Sequence, residues 1–425
     1  MLKRVQRTDN GLRGEITIPA DKSVSHRAVM FSSIAKGECV IRNFSSGADC
    51  HSTLNIFKQL GADVQFIDNK TLKVKSNGIL RKADLPLDAG NSGTTTRLIS
   101  GILAGQNFDS KIIGDESLSK RPMKRIIEPL TLMGANIESI DGHLPLVIHG
   151  QKLNGITYNS KLSSAQVKSC VLLAGMNADG STVYSEPYMS RNHTELLLEY
   201  LGADIRTNGT ETTIRRSELA SKDINVIGDI SSAAFFIVAG LIVPNSDITI
   251  KNVGLNVTRS GIVDIVSRMG GNIQILNERI ESGERLGDIR VLYTENLKSC
   301  TIEGEDIPRL IDELPVIAVL ASQAEGQTIV KNAEDLRNKE SDRIKCLVGE
   351  LTKIGIDITE TSDGFIVNGK TEITGGQELE SFHDHRLAMS FYVSGLVSKN
   401  EIGINGFEWT KISFPEFEEL FEKLS

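Results

Sequence analysis

Two carboxylates stand among basic side chains in short polar loops that precede apolar helices. Asp312 lies in PRLIDELP, and Glu340 lies in NKESDR between Lys339 and Arg343. A carboxylate held near cations stays ionised, whereas the pKa of one that loses solvent rises, so that it holds a proton that it can donate. The pair could therefore divide the work of a general base and a general acid. Helix capping and ordinary ion pairing are the alternative that these residues alone leave open.

Basic residues occur at predicted helix starts and in tight loops of an otherwise acidic chain, which has 47 Lys and Arg against 55 Asp and Glu and a net charge of −8. They are Lys22, Arg27, Arg97, Arg121, Arg191, Lys339, Arg343, Arg386 and Lys411. Arg binds carboxylate or phosphate through paired hydrogen bonds, and Lys adds a point charge. Each alone could be a solvated surface charge, but together they predict an anion site.

Short polar segments precede the apolar helices that these cations accompany. The segments are DKSVSHR, GNSGTTTR, SSAQVK, GDISS and HDHR. A helix start offers free backbone N–H groups and the positive end of the helix dipole, which suit a phosphate or carboxylate. Several such starts converging on one cleft would bind a polyanion.

Charge and motifs argue against several other partners. The negative net charge makes nucleic acid and anionic membranes poor partners. The longest apolar stretches are about 12 residues, where a membrane span needs about 20, and the N-terminus lacks the apolar region of a signal peptide. The five cysteines include no CxxC pair and predict reduced thiols in a cytoplasmic protein.

No cofactor or metal is expected. The chain has neither GxxxxGK[ST] nor GxGxxG after a strand, so ATP and NAD are unsupported. Its seven histidines form no HExxH, and His383 and His385 beside Asp384 are only a weak metal signal. We interpret Asp384 as a helix N-cap or as the partner of a nearby cation.

Two interleaved repeats supply the elements that must position these residues. Five apolar segments at helical spacing each end in a glycine, at the left-handed C-cap position, and a predicted strand follows. The glycines are Gly61, Gly134, Gly202, Gly270 and Gly355. Six buried, Ala-rich helices interleave with them, starting near Ser25, Thr95, Ala165, Ser231, Glu313 and His385. Three repeats make a domain, which predicts a division near 226–229.

The polar segments also resemble the 5-enolpyruvylshikimate-3-phosphate synthase family, in family order along nearly the whole chain. The matching stretches are DKSVSHR, GNSGTTTR, GDESLSKRPM, SSAQVKS, SRNHTE, GDISSAAFF, IDELP, NKESDR, HDHRLAM and TKISFPEF. The resemblance implies an α/β fold of two similar domains, each with three βαβαββ repeats around a pseudo-threefold axis and with the active site in the interdomain cleft. We expect an N-terminal domain at 15–226 and a C-terminal domain at 227–425 plus 1–14.

The resemblance implies transfer of the enolpyruvyl group of phosphoenolpyruvate to the 5-hydroxyl of shikimate 3-phosphate, with release of phosphate, on the route to chorismate and the aromatic amino acids. Implied shikimate 3-phosphate contacts are Lys22, Ser23, Arg27, Ser163, Ser164, Gln166, Arg191, Asp312 and Lys339. Implied phosphoenolpyruvate contacts are Lys22, Gly93, Arg121, Arg343, Arg386 and Lys411. The implied catalytic residues are Asp312, Glu340 and Lys22.

Two rival functions share this architecture. The enolpyruvyl transferases that act on UDP-N-acetylglucosamine carry a reactive cysteine in a loop of the first domain, but the corresponding GDESLSKRPM has none. A non-catalytic anion-binding protein of the same fold is the other rival, and the intact acidic and basic set argues against it. We expect a monomer, since two large domains can build the site within one chain.

Overall fold

The computed structural model describes all 425 residues. The chain forms fourteen α-helices: α1 Lys22–Ile34, α2 Ala48–Gln59, α3 Gly93–Ala104, α4 Glu116–Ser119, α5 Lys124–Leu132, α6 Ala165–Gly175, α7 His193–Tyr200, α8 Ile230–Ile242, α9 Gly261–Arg268, α10 Asp306–Leu310, α11 Leu314–Ser322, α12 Arg343–Lys353, α13 His385–Gly395 and α14 Phe417–Leu424. Two 3₁₀ helices cover Glu334–Asn338 and Phe407–Ile412. None of the helices combines the length and the apolar character that crossing a membrane requires.

The strands are short, and all belong to sheets of three to five strands. They are β1 Leu2–Val5, β2 Arg13–Thr17, β3 Ala35–Arg42, β4 Asp63–Asp68, β5 Thr71–Asn77, β6 Leu87–Asp88, β7 Asp109–Ile113, β8 Asn136–Ile140, β9 His143–His149, β10 Thr157–Asn159, β11 Ser181–Ser185, β12 Ile205–Asn208, β13 Glu211–Arg215, β14 Leu219–Ala220, β15 Ile224–Asn225, β16 Asp247–Gly254, β17 Asn272–Glu281, β18 Glu284–Leu292, β19 Thr301–Ile302, β20 Gly326–Val330, β21 Asp357–Glu360, β22 Phe365–Gly369, β23 Glu378–Glu380 and β24 Ile402–Asn405.

The chain divides into two compact units. The N-terminal unit holds Ala20–Ile227 and Ile280–Glu284, and the C-terminal unit holds Met1–Pro19, Gly228–Arg279 and Arg285–Ser425. These bounds differ from the expected ones at residues 15–19 and 280–284, and by one residue at Ile227.

Residues 15–19 fall in the C-terminal unit because β2 pairs in parallel with β16. The tip of the β17–β18 hairpin falls in the N-terminal unit, where Glu284 Oε1 lies 2.7 Å from His193 Nδ1. Both side chains are buried, so this contact ties the tip to α7. Pairing partners, rather than position along the chain, therefore set both boundaries.

Each unit contains three sheets with one repeated pairing pattern. In β6-β7-β9-β8 the first two strands are parallel and the later pairs are antiparallel, which is the order of a βαβαββ unit. The sheets β10-β11-β13-β12 and β19-β20-β22-β21 repeat it. In the first repeat of each unit, the leading strand comes from elsewhere in the chain: β14 and β15 pair with β3, and β2 pairs with β16.

The last repeat departs from the predicted βαβαββ pattern. Its sheet has three strands in the order β1-β24-β23, and β1 supplies the antiparallel partner of β24. After β24 the chain forms a 3₁₀ helix and α14 instead of a further hairpin. Phe421 of α14 stacks on Phe236 of α8 with ring centroids 4.3 Å apart. Aromatic packing of this kind adds to the energy of apolar burial and holds the end of the chain on the unit.

The predicted buried helices are confirmed, and so are the glycines that end the five helices interleaved with them. Every residue of α8 and α11 is buried. The five predicted C-cap glycines all have positive φ, between 75° and 99°. A glycine also brings α3 and α6 together, since a Cβ on Gly101 would lie 2.1 Å from the backbone oxygen of Cys170. Any side chain at Gly101 would therefore push the two helices apart.

Candidate active site

The start of α1 positions the first cations of the N-terminal unit. Asp21 caps this helix by accepting a hydrogen bond from the backbone N of Val24 at 2.8 Å, so Lys22 begins the first turn. Lys22 Nζ lies 2.5 Å from Asp49 Oδ2, near the start of α2. Lys22 is one third exposed and Asp49 less so. The lysine is thus held by a carboxylate that no local sequence signal identified.

Arg27 is buried one helical turn further along and is held by three hydrogen bonds. Its Nε donates to Thr194 Oγ1 at 2.7 Å, Nη2 donates to Ser169 Oγ at 2.9 Å, and Nη1 donates to the Ser23 oxygen at 2.9 Å. Burial lowers the pKa of Arg27 to about 10, and Arg191 is close enough to contribute in the same direction. The guanidinium remains charged at neutral pH and is fixed in place.

The start of α3 brings four candidate groups together. A Cβ on Gly93 would lie 3.0 Å from Arg97 Nη1 and 3.6 Å from Arg121 Nη1, so the missing side chain leaves room for both guanidinium groups. Arg97 Nη1 donates to Gln166 Oε1 at 2.5 Å, and Arg121 Nη2 donates to Asn91 Oδ1 at 2.9 Å. Two arginines and a helix start beside a glycine can accommodate an anion.

The remaining residues predicted in this unit lie at the starts of α6 and α7. Ser163 Oγ accepts from the backbone N of Tyr188 at 2.9 Å and donates to its oxygen at 2.8 Å. Ser164 is the N-cap residue of α6, but its side chain makes no capping hydrogen bond. Arg191 lies two residues before α7. Both helix starts therefore carry half-buried polar side chains.

In the C-terminal unit, Asp312 stands among cations from three further segments. Its Oδ1 lies 3.4 Å from Arg343 Nη1 and 3.8 Å from Lys339 Nζ, and its Oδ2 lies 3.9 Å from Arg386 Nη2. Arg386 Nη1 also donates to the Asp312 backbone oxygen at 3.2 Å. Asp312 lies in the loop before α11, Lys339 in the loop before α12, Arg343 at the first position of α12 and Arg386 in the first turn of α13. The structure brings together four side chains that the sequence only suggested as a set.

Arg343 is the most buried of these cations and pairs with two further carboxylates, Glu340 and Asp384. Its Nη2 lies 2.5 Å from Glu340 Oε2, and its Nε lies 2.7 Å from Asp384 Oδ2. Burial alone would lower the pKa of Arg343, but the carboxylates of Asp384, Glu340 and Asp312 outweigh it and raise the pKa. Asp384 also caps α13 through the backbone N of Arg386 at 2.9 Å. Both readings of Asp384, as a cap and as the partner of a cation, are confirmed.

Lys411 is a predicted residue that lies outside the ion pairs around Asp312. It lies exposed in the 3₁₀ helix Phe407–Ile412 and forms no ion pair with the Asp312 set. No group of three or more His, Cys, Asp or Glu side chains has the arrangement of a metal site. All five cysteines are free thiols.

Sequence reasoning missed Arg259, which is buried 3.9 Å from Asp312 in the C-terminal unit. Arg259 stands in GLNVTRSG, directly before Ser260 and α9. An arginine in a polar segment before a helix is the same signal that identified the other cations. Asp49 carried no comparable signal, since its contact with Lys22 arises only from the packing of α1 on α2.

Comparison with known proteins identifies the family to which this arrangement belongs. The family model for EPSP synthase (3-phosphoshikimate 1-carboxyvinyltransferase) matches residues 6–421. The chain belongs to the EPSP synthase family. The predicted family, α/β fold class and enzyme class are confirmed.

Relatives and solved structures agree with that family. The 3-phosphoshikimate 1-carboxyvinyltransferase of Thermoanaerobacter sp. (strain X514) is 50% identical over 416 residues, covering 97% of this chain and 98% of the relative. That of Geotalea uraniireducens (strain Rf4) is 49% identical over 417 residues, covering 97% of each. The structure of EPSP synthase from Acinetobacter baumannii covers 100% of this chain and 98% of its own, with 41% identity and a TM-score of 0.91.

A more distant structure shares the fold alone. The enolpyruvyl transferase NikO from Streptomyces tendae covers 100% of this chain and 97% of its own, with a TM-score of 0.81 and 19% identity. The EPSP synthase relatives are 41–50% identical to this chain, two to three times the identity of NikO. They favour the EPSP synthase reaction over the two rival functions that share the architecture.

Proposed function

We propose that this chain transfers the enolpyruvyl group of phosphoenolpyruvate to the 5-hydroxyl of shikimate 3-phosphate and releases inorganic phosphate. The observation that carries the proposal is the set around Asp312, in a member of the EPSP synthase family. Arg343, Lys339 and Arg386 all lie within 4 Å of its carboxylate. The cations that two anionic substrates need therefore stand beside the proposed acid–base group.

Two cations illustrate the proposed contacts with shikimate 3-phosphate. In the N-terminal unit, Arg27 supports this role because three hydrogen bonds hold a buried charge that stays positive. In the C-terminal unit, Lys339 stands 3.8 Å from Asp312, so one group could bind an oxygen of the substrate while the other faces its hydroxyl. The full proposed set is Lys22, Ser23, Arg27, Ser163, Ser164, Gln166, Arg191, Asp312 and Lys339.

The proposed contacts with phosphoenolpyruvate are mostly arginines. Arg121 supports this role because it stands beside Gly93, where no side chain blocks an anion. Arg343 and Arg386 present planar donors that suit a carboxylate or a phosphate. The full proposed set is Lys22, Gly93, Arg121, Arg343, Arg386 and Lys411.

We propose Asp312, Glu340 and Lys22 as the catalytic residues. Glu340, assisted by Lys22, delivers a proton to the methylene carbon of phosphoenolpyruvate, which makes the neighbouring carbon electrophilic. Asp312 orients the 5-hydroxyl and accepts its proton as the oxygen adds to that carbon. Loss of a proton from the new methyl group and departure of phosphate then restore the double bond. Holding the two anions in attack geometry can contribute about 7–11 kcal/mol to the barrier reduction.

We also propose that the enzyme acts as a monomer in the cytoplasm without a cofactor. Light scattering coupled to gel filtration tests the first point, because a dimer would double the mass of 46.4 kDa. Fractionation of cells tests the second, since a protein found outside the cytoplasm would contradict it.

Phosphate release is the direct test of the function. The purified chain is incubated with phosphoenolpyruvate and shikimate 3-phosphate, and released phosphate is measured against an arm without shikimate 3-phosphate. A second arm replaces that acceptor by UDP-N-acetylglucosamine. We expect release only in the complete first reaction. Release with the nucleotide sugar would identify the rival transferase, and release in neither arm would indicate the non-catalytic alternative.

A further inference from the structure

A buried arginine outside the predicted set lies beside Asp312. Arg259 is 3% exposed, and its Nη1 is 3.9 Å from Asp312 Oδ2. Its Nη2 donates to Asp229 Oδ1 at 3.1 Å and to Ser231 Oγ at 2.7 Å. The guanidinium is thus directed by two groups at the start of α8 while it faces the proposed catalytic carboxylate.

Ser231 extends this contact to a second buried carboxyl group. Its hydroxyl, which accepts from Arg259, donates to Glu313 Oε1. Glu313 is 1% exposed, and its Oε2 has no hydrogen-bond partner. Burial raises the pKa of Glu313, and Arg259 offsets this only in part. Glu313 precedes α11 and follows Asp312 directly, so the network joins the starts of three helices.

We propose that Arg259 is a positioning residue for catalysis, held by Ser231 and Glu313 so that it fixes the orientation of the Asp312 carboxylate. This inference rests on the role proposed for Asp312 above. The terminal torsion of an aspartate is broad, so its carboxylate adopts the direction that its partners impose. Lys339 and Arg343 face Oδ1, whereas Arg259 and Arg386 face Oδ2. Removing the support of one side lets the carboxylate turn away from its productive direction.

The mildest test removes one hydroxyl. In Ser231→Ala, Arg259 keeps its charge and its hydrogen bond to Asp229, but it loses the hydrogen-bonded link to Glu313. We expect kcat to fall about tenfold, as a small misplacement of a catalytic group allows, with KM for both substrates unchanged within a factor of two. The control is Ser394→Ala, which removes an equally buried hydroxyl that donates to the Phe391 oxygen at 2.7 Å, away from Asp312.

A second background separates positioning from general damage. If Ser231 acts through Asp312, then Ser231→Ala should lower kcat less than twofold in an enzyme that already carries Asp312→Asn, because coupled residues are not additive. A tenfold loss in both backgrounds would overturn the inference, as would unchanged kcat in Ser231→Ala alone. Near-normal turnover of Asp312→Asn by itself would instead overturn the role proposed for Asp312, and this inference with it.

A conservative change at Glu313 provides a rescue test. Glu313→Gln keeps an oxygen that can accept from Ser231, whereas Glu313→Ala removes it. We expect the Gln variant to keep kcat within about threefold of the unchanged enzyme and the Ala variant to lose at least as much as Ser231→Ala. Equal losses in the two Glu313 variants would overturn the proposed hydrogen-bonding role.

Discussion

Replacing Asp384 by Asn removes the charge that holds Arg343, with almost no change in shape. The amide oxygen can still accept from the backbone N of Arg386, so the cap of α13 is kept. The ion pair between Arg343 Nε and Asp384 Oδ2, now 2.7 Å long, is lost. Asp384 is 0% exposed and Arg343 only 2%, so little water can compensate.

The size of the effect follows from this burial. Breaking a buried ion pair by removing one partner costs about 3–5 kcal/mol. Glu340 and Asp312 remain beside Arg343, so we expect the lower end, about 3 kcal/mol. For a unit of roughly 200 residues, that loss lowers Tm by about 6–12 °C.

The loss should also depend on pH in a defined direction. Burial would raise the pKa of Asp384, but the charge of Arg343 outweighs it and lowers the pKa in the folded state. The pair therefore stabilises the fold above the unfolded pKa, near pH 4, and this contribution disappears as pH falls through the lower folded value. The difference between the two proteins should be constant from about pH 5 to 8 and shrink below about pH 4.

Urea unfolding of both proteins across this pH range measures the difference. The control is Asp342→Asn, at a helix N-cap that also pairs with an arginine, Arg337, at 3.0 Å. The Asp342 side chain is 34% exposed, so we expect less than about 1 kcal/mol there. Equal losses in the two variants, or an Asp384→Asn protein as stable as the unchanged one, would refute the reasoning.

Three further predictions concern activity and binding. Asp312→Ala should lower kcat by about 10²–10⁴ with KM still measurable; turnover close to normal in a phosphate-release assay would remove its role. Arg121→Ala should raise KM for phosphoenolpyruvate about 10- to 100-fold and leave KM for shikimate 3-phosphate nearly unchanged, as loss of a charge-assisted contact implies; equal effects on both substrates would contradict its assignment. Asp335→Asn removes a carboxylate 3.5 Å from Lys339 Nζ, so KM for shikimate 3-phosphate should fall about two- to fivefold; a higher KM in steady-state kinetics would count against it.

Periodicity in the sequence predicted much of the fold because it reports local geometry. The glycine stops at Gly61, Gly134, Gly202, Gly270 and Gly355 all have the expected positive φ. The buried helices start at or within three residues of the predicted positions. The last repeat departs from the predicted strand pattern, since β1 replaces the expected hairpin strand beside β24. Pairing between residues about 400 apart in the chain leaves no periodic signal.

For the candidate site too, local sequence patterns predicted some features and tertiary packing decided the others. Residue types and their places at helix starts predicted Lys339, Arg343 and Arg386 among nine anion-binding cations. Asp312 was predicted separately as an acid or base, and its side chain lies within 4 Å of these three cations. Helix starts carry this information because capping and the helix dipole act over one turn.

The sequence by itself determined the family, the repeats and the chemical character of the helix starts, because each depends on neighbours along the chain. Only the tertiary structure decided that Asp384 pairs with Arg343, that Asp49 meets Lys22 and that Arg259 lies beside Asp312. Each of these contacts joins side chains at the starts of separate helices, and their distances follow from how those helices pack together. Close packing sets them, and no local pattern in the chain encodes it.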